Sequence, residues 1–234
     1  MDERLSRRSL LAAAGTGALA GWSGCLGGDG GAETEADDGT ESGGGNDTDG
    51  DGAGGRQATL PVPELGQDGA SVTVTVFEDF ACPHCKTFNE DVFPQIREEY
   101  VSGGVVTYQH RDFPIPVDEP VSWQAPSAAR AIQDEVGEEA FFEYADALFA
   151  NQNSLGPETY ASLAEDYDVE ASAVRSAAEE REYDPTVERD REYGVDNGVR
   201  GTPTVFVNGE ATEGNDFETI SATIESARRD GSSE

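Results

Sequence analysis

The sequence predicts an α/β fold with an inserted helical subdomain. Three observations predict it. The alternating run Val72-Thr73-Val74-Thr75-Val76-Phe77 leads through a short loop into Phe88, Val92, Phe93, Ile96 and Tyr100 at helical spacing, and Val105-Val106-Thr107-Tyr108-Gln109-His110 follows as a second strand. Strand, helix and strand in that order imply parallel strands joined by a right-handed crossover. From about Glu119 to Asn197 the period becomes helical throughout, and only then does a third strand, Thr204 to Asn208, return.

In chain order, residues 1–24 read as an export signal rather than as part of the fold. Arg4, Arg7 and Arg8 make a basic start, and Ser6-Arg7-Arg8-Ser9-Leu10-Leu11 resembles a twin-arginine signal. The apolar stretch from Leu10 to Trp22 is too short for an ordinary membrane-spanning helix. Trp22-Ser23-Gly24-Cys25 resembles a lipoprotein cleavage box, with Trp22 standing where an aliphatic residue is usual. Cys25 is then the expected lipidated residue; cleavage without lipidation is the alternative. Of the three cysteines, two stand together at 82 and 85 and the third marks this boundary. Residues 25–58 carry Gly, Asp, Glu, Ser and Thr with almost no apolar side chains, so they cannot bury enough surface to order themselves. A coil of about 33 residues holds its ends roughly 30–35 Å apart, which suits a tether.

The head is expected over 59–234, long enough for one well-buried domain. Its helical insertion, about 119–197, shows successive apolar stripes. They are Ala128, Ala129, Ile132 and Val136; Phe141, Phe142, Ala145, Leu148 and Phe149; and Tyr160, Leu163, Ala164 and Tyr167 behind Pro157. Val174, Ala177 and Ala178 follow, then Val187, Arg191 and Val195 behind Pro185. These stripes read as a packed subdomain with no cofactor box, and no cofactor is expected. Asn208-Gly209 is a hairpin turn with Glu210-Ala211-Thr212 as a weak partner strand. Phe217, Ile220, Ile224 and Ala227 close the fold as an amphipathic helix.

The chemistry is expected at Cys82-Pro83-His84-Cys85. Cys82 falls at the mouth of the first helix and Cys85 one turn in. Residues three apart lie on one helix face, within the ~4.4–6.8 Å of Cα separation that a disulfide needs. The stretch can therefore hold a dithiol or a disulfide with little backbone change. The helix N-terminus carries about half a positive charge and unpaired N–H groups, which stabilise a thiolate at Cys82. His84, protonated or donating a hydrogen bond, adds to that effect. A depressed Cys82 pKa makes it a good leaving group and stabilises the reduced pair, so the disulfide is oxidising. Cys85, more buried, is the resolving thiol, and Pro83 in the first turn forfeits no hydrogen bond.

Phe77-Glu78-Asp79-Phe80-Ala81-Cys82-Pro83-His84-Cys85 resembles the active-site segment of the DsbA-like thiol–disulfide oxidoreductases of the thioredoxin superfamily. Gly198-Val199-Arg200-Gly201-Thr202-Pro203-Thr204-Val205-Phe206-Val207-Asn208-Gly209 is similar to that family's cis-proline strand, and Arg111-Asp112-Phe113-Pro114 to a third block. The likeness runs roughly from Leu65 to Arg229. It implies a thioredoxin-like fold whose helical insertion sits above the active site. It also implies a cis Pro203 beside the reactive sulfur and, with Thr202, backbone offered to a substrate peptide. The implied partners are exported proteins with thiols and a membrane redox protein that reoxidises the pair. Many thioredoxin-fold enzymes carry a buried acid six residues before the first cysteine, and here that position is Val76. Glu78 and Asp79 lie nearer, on opposite faces by strand alternation. Each reads either as a replacement for the missing acid or as a solvated carboxylate where the loop begins.

The formal net charge is −33, and Lys86 is the one lysine among 15 cationic side chains. Such a surface excludes nucleic acid as a partner, because phosphate recognition needs cationic patches. It repels itself at low salt and resembles an exported protein of a halophile of haloarchaeal type. The leading reading is an extracytoplasmic, membrane-anchored oxidant of exported proteins, monomeric because no dimerisation segment is visible. Isomerase or reductase is the alternative direction. A metal carrier using Cys82, Cys85, His84 and His110 is a reading of a different class, although the spacing matches no zinc finger. An inert binding lipoprotein on the same fold is a third.

Overall fold

The alternation of residues 72–78 and 106–112 becomes the centre of a five-stranded sheet. The computed structural model describes residues 59–231 except 68 and 116; the expected export signal, Cys25 and the expected linker lie outside the described residues. The strands are β1 (Glu64–Leu65), β2 (Val72–Glu78), β3 (Val106–Asp112), β4 (Thr204–Val207) and β5 (Glu210–Ala211), ordered β1-β3-β2-β4-β5. β2 and β3 are parallel with Val76 opposite His110 and Glu78 opposite Asp112, while β4 runs antiparallel to β2 with Val205 opposite Val76. This register sets the two faces by the period of two. Val72, Val74, Val76, Glu78, His110, Asp112, Val205 and Val207 share one face, and Phe77 and Phe206 share the other. The edge strand β1, two residues long, is too short for its alternation to be legible in the sequence.

The helix after β2 is broken where the sequence suggests one continuous run. It comprises α1 (Pro83–Asp91), α2 (Phe93–Ile96) and a π-helical turn, Arg97–Val101. Pro94, at the start of α2, has no N–H to continue the ladder, so the chain restarts there. Phe88, Phe93, Ile96 and Tyr100 still reach the core.

The insertion holds α3 (Glu119–Glu135), α4 (Glu138–Ala150), a short 3-10 turn (Gln152–Ser154), α5 (Pro157–Ala164), α6 (Ala171–Glu180) and α7 (Asp184–Asp196). α4 packs on α1, α3 on α4 and α6, and α7 against β3 on the opposite sheet face. α8 (Phe217–Gly231) packs against β4 through Ile220 and Ile224. Two stripe assignments change. Val136 is exposed at the end of α3, and Val195 is 51% exposed. The buried side of α7 is Thr186, Val187, Asp190 and Gly194, not Val187, Arg191 and Val195. Gly194 explains the difference, since a Cβ there would lie 2.7–2.9 Å from Phe113 and Phe77. The helix turns this hydrogen-only position inward so that it can approach the aromatic pair. Among the described residues no helix is long and apolar enough to cross a membrane.

Candidate active site

β2 delivers the chain to a tight turn. Asp79 Oδ1 accepts from Ala81 N–H at 2.8 Å and Asp79 Oδ2 from Ile115 N–H at 2.8 Å, while Cys82 N–H donates to Asp79 O at 2.9 Å. Asp79 is thus 2% exposed and organises the turn, not a solvated carboxylate. Burial pushes its carboxyl up to about 6 against the two N–H donors. Cys82 is the N-cap of α1, in extended conformation, and its carbonyl accepts from the N–H groups of Cys85 and Lys86, both at 3.1 Å. From the insertion, Gln152 Nε2 donates to Phe80 O at 2.8 Å and Cys82 O at 2.9 Å. That amide ties the helical subdomain to the turn carrying the first cysteine. Nothing in the sequence distinguishes Gln152 from a surface glutamine.

Both thiols are free and buried, Cys85 completely. The Thr202–Pro203 peptide is cis, and the Cys82 thiol donates to Thr202 O at 3.4 Å. The structure therefore brings Cys82, Cys85, Thr202 and Pro203 together from segments 120 residues apart. The Cys82 thiol is lowered to about 5. The Cys85 thiol, donating to its sulfur, contributes most; burial opposes, and the Thr202 hydroxyl and the backbone N–H groups of Cys85 and His84 assist. Cys85 moves the other way, well above the ordinary thiol range, because burial disfavours its anion. Pro83 and His84 are exposed. The backbone N–H of His84 is among the groups that favour the Cys82 anion.

Beneath the pair lies a buried chain of charges whose members are scattered along the sequence. Glu78 is 3% exposed, so it too is no solvated carboxylate; its Oε2 lies 3.2 Å from His110 Nδ1. His110 Nε2 lies 3.2 Å from Asp112 Oδ1. Arg130, fully buried on α3, donates to Asp112 Oδ2 and Asp190 Oδ2, both at 2.7 Å, and Arg111 donates to Asp190 Oδ1 at 2.9 Å. Burial works against a charged His110, but its hydrogen bonds and charge interactions with Asp112 and Glu78 prevail and raise it to about 9. Asp112 is held down near 2: burial would raise it, but the Arg130 charge and His110 outweigh that. Glu78 is raised by burial, with His110 opposing. One signal was available: Arg130 interrupts the otherwise apolar Ala128-Ala129-Arg130-Ala131-Ile132. Both ring nitrogens of His110 face carboxylates, and among the described residues no group of three or more His, Cys, Asp or Glu is arranged to hold a metal ion.

A parallel βαβ unit, a thiol at a helix N-cap, a buried second thiol three residues on and a facing cis-proline define a thiol–disulfide oxidoreductase on a thioredoxin fold. A family model described as thioredoxin matches residues 60–226, and the chain belongs to that family. Disulfide bond formation protein D of Bacillus subtilis is 26% identical over 185 residues, 75% of this chain and 81% of that protein. The crystal structure of oxidised BdbD from B. subtilis superposes with a TM-score of 0.67 at 26% identity, covering 72% of this chain and 93% of that one. Chlamydia trachomatis DsbA shares the fold at a TM-score of 0.62 and 22% identity, covering 74% and 94%.

Proposed function

We propose that this protein introduces disulfides into exported proteins. The observation that carries the reading is the asymmetry of the pair: a thiol lowered to about 5 at Cys82 beside one raised by burial at Cys85. A stable Cys82 thiolate favours the reduced form and makes the disulfide a strong oxidant. A substrate thiolate attacks Cys82 Sγ, the Cys82–Cys85 bond breaks, and Cys85 leaves. A second substrate thiolate then displaces Cys82 from the mixed disulfide. Thr202 and the cis Pro203 offer their backbone to the substrate peptide beside Cys82. The pair is returned to the disulfide by a membrane redox protein. In the same reading residues 1–24 direct export, lipidated Cys25 anchors the chain outside the membrane, residues 25–58 tether a head over 59–234, and the protein works as a monomer among the salt-loving. Support comes from the sequence signals and, for direction, from the name of the B. subtilis relative.

The test is the equilibrium of the Cys82–Cys85 pair in glutathione buffers at high salt. A potential well above thioredoxin's, about −270 mV, is the expected result. One near or below that value reassigns the protein as a reductase. Stoichiometric bound metal without disulfide exchange would instead make it a carrier.

A further inference from the structure

A client peptide held by Thr202 and Pro203 is paired along one edge only. The N–H groups of an extended strand alternate between its two edges, so those on the other edge need an acceptor where water is displaced. From the helical insertion, Gln152 reaches the turn that carries Cys82. Its Nε2 lies 2.8 Å from Phe80 O and 2.9 Å from Cys82 O. Carbonyl oxygens only accept, so the amide must turn its nitrogen to them and its oxygen away. Among the described residues nothing donates to Gln152 Oε1, and that atom is not buried. A hydrogen-bond acceptor of fixed direction therefore stands open beside the reactive cysteine.

We propose that Gln152 is a client-binding residue: its Oε1 accepts a backbone N–H of the client chain next to the reacting cysteine, while its Nε2 holds the turn that presents Cys82. The inference rests on the oxidoreductase reading above. The bond changes are those of the cycle already given, and Gln152 takes no part in them. Its ligand is defined by backbone, not by side chains: an extended polypeptide that carries a cysteine. A carbonyl acceptor reads the N–H alone, which suits an oxidant of many different proteins.

The surroundings fit a preorganised acceptor. Lys86 Nζ of α1 donates to Ala150 O at 3.4 Å, Asn151 N–H donates to Ala147 O at 3.1 Å, and Ser154 N–H donates to Asn151 O at 2.9 Å. The chain on both sides of Gln152 is thus tied down, and two hydrogen bonds fix the amide itself. An acceptor already held in place loses little freedom when a client binds, so more of the hydrogen bond appears as binding. The neutrality of the group matters as well. A carboxylate at 152 would set its oxygens against the Phe80 and Cys82 carbonyls and add a negative charge beside the Cys82 anion. The amide does neither, and its donors satisfy both carbonyls.

The experiment uses the oxidised full chain at high salt and a synthetic peptide with one central cysteine. A series of the same peptide carries a single N-methyl group at each amide in turn, which removes that N–H. Acid quenching, alkylation and mass measurement follow the opening of the Cys82–Cys85 disulfide. In the wild type, N-methylation of one amide beside the cysteine is expected to slow opening by about 5–10-fold, the worth of one hydrogen bond. In Gln152→Met the same N-methylation should change the rate by less than about twofold, because the acceptor is gone. Any loosening of the turn in Q152M slows every peptide alike and cancels from this ratio. Equal ratios in the two proteins at every amide overturn the proposal, as does a wild type indifferent to N-methylation. If Q152M does not fold, Gln152→Lys decides by the same ratio, since its ammonium still donates to the carbonyls but accepts nothing. A wild-type disulfide that no peptide thiol opens removes the oxidoreductase reading itself, a result distinct from these.

Discussion

Reduction of the Cys82–Cys85 disulfide stabilises the folded chain by an amount that depends on pH. In the folded reduced state Cys82 ionises near 5, against 9.0 for an unperturbed thiol. A depressed pKa contributes stability that is fully present above the unfolded value and is lost as pH falls through the folded one. The gap between the reduced and oxidised proteins therefore shrinks from pH 8 to pH 5 at up to about 1.4 kcal/mol per pH unit. Solvent reaching the sulfur screens part of this, which leaves roughly 1–3 kcal/mol of extra reduced-state stability at pH 7. The Cys82 anion, present only in the reduced form, raises Asp79 and Glu78 and so offsets part of the gap. The ring closed by the disulfide spans only Cys82 to Cys85, so the entropy it removes from the unfolded chain is small and does not vary with pH. The assay is denaturant unfolding of both forms of the full chain at high salt, from pH 5 to pH 8. A gap that is flat, or that widens as pH falls, refutes the reasoning.

Thr202→Val removes the hydroxyl that favours the Cys82 anion, and the thiol should titrate higher by roughly one unit, the worth of a hydrogen bond to a charged group; absorbance of the thiolate against pH reads it. Arg130→Met leaves Asp112 and Asp190 buried beside a missing cation, and should cost about 3–5 kcal/mol, measured from denaturant midpoints at fixed salt. With a net charge of −33, the protein should melt at a lower temperature as salt falls from about 3 M to about 0.1 M, since screening of its own repulsion is withdrawn.

What was legible in the sequence is what periodicity carries. The alternations at 72–78 and 106–112 and the apolar stripes at 141–149 and 160–164 depend on near neighbours, and these elements form where expected. Val136 and Val195 misled because a helical spacing names a face without saying how far along the helix its partner extends. Gly194 decides the facing of α7, and its reason lies in Phe77, more than a hundred residues earlier. At the site, the two cysteines and the Gly-Thr-Pro segment carry their own signatures. Glu78 and Asp79 do not: a carboxylate reads as solvated until its partners are known, and His110, Arg130 and the Ile115 N–H arrive 32 to 52 positions later in the chain. Gln152 is invisible for the same reason, as its role is to meet two carbonyls about 70 residues away.

The central claim is that the backbone and Cys85 make a sulfur anion at position 82 stable well below neutral pH. The rate of iodoacetamide reaction with the reduced full chain, followed at Cys82 by mass spectrometry from pH 3.5 to pH 9, measures it directly. The account predicts a half-maximal rate near pH 5. A half-maximal rate near pH 8.5, that of an ordinary cysteine, would contradict it.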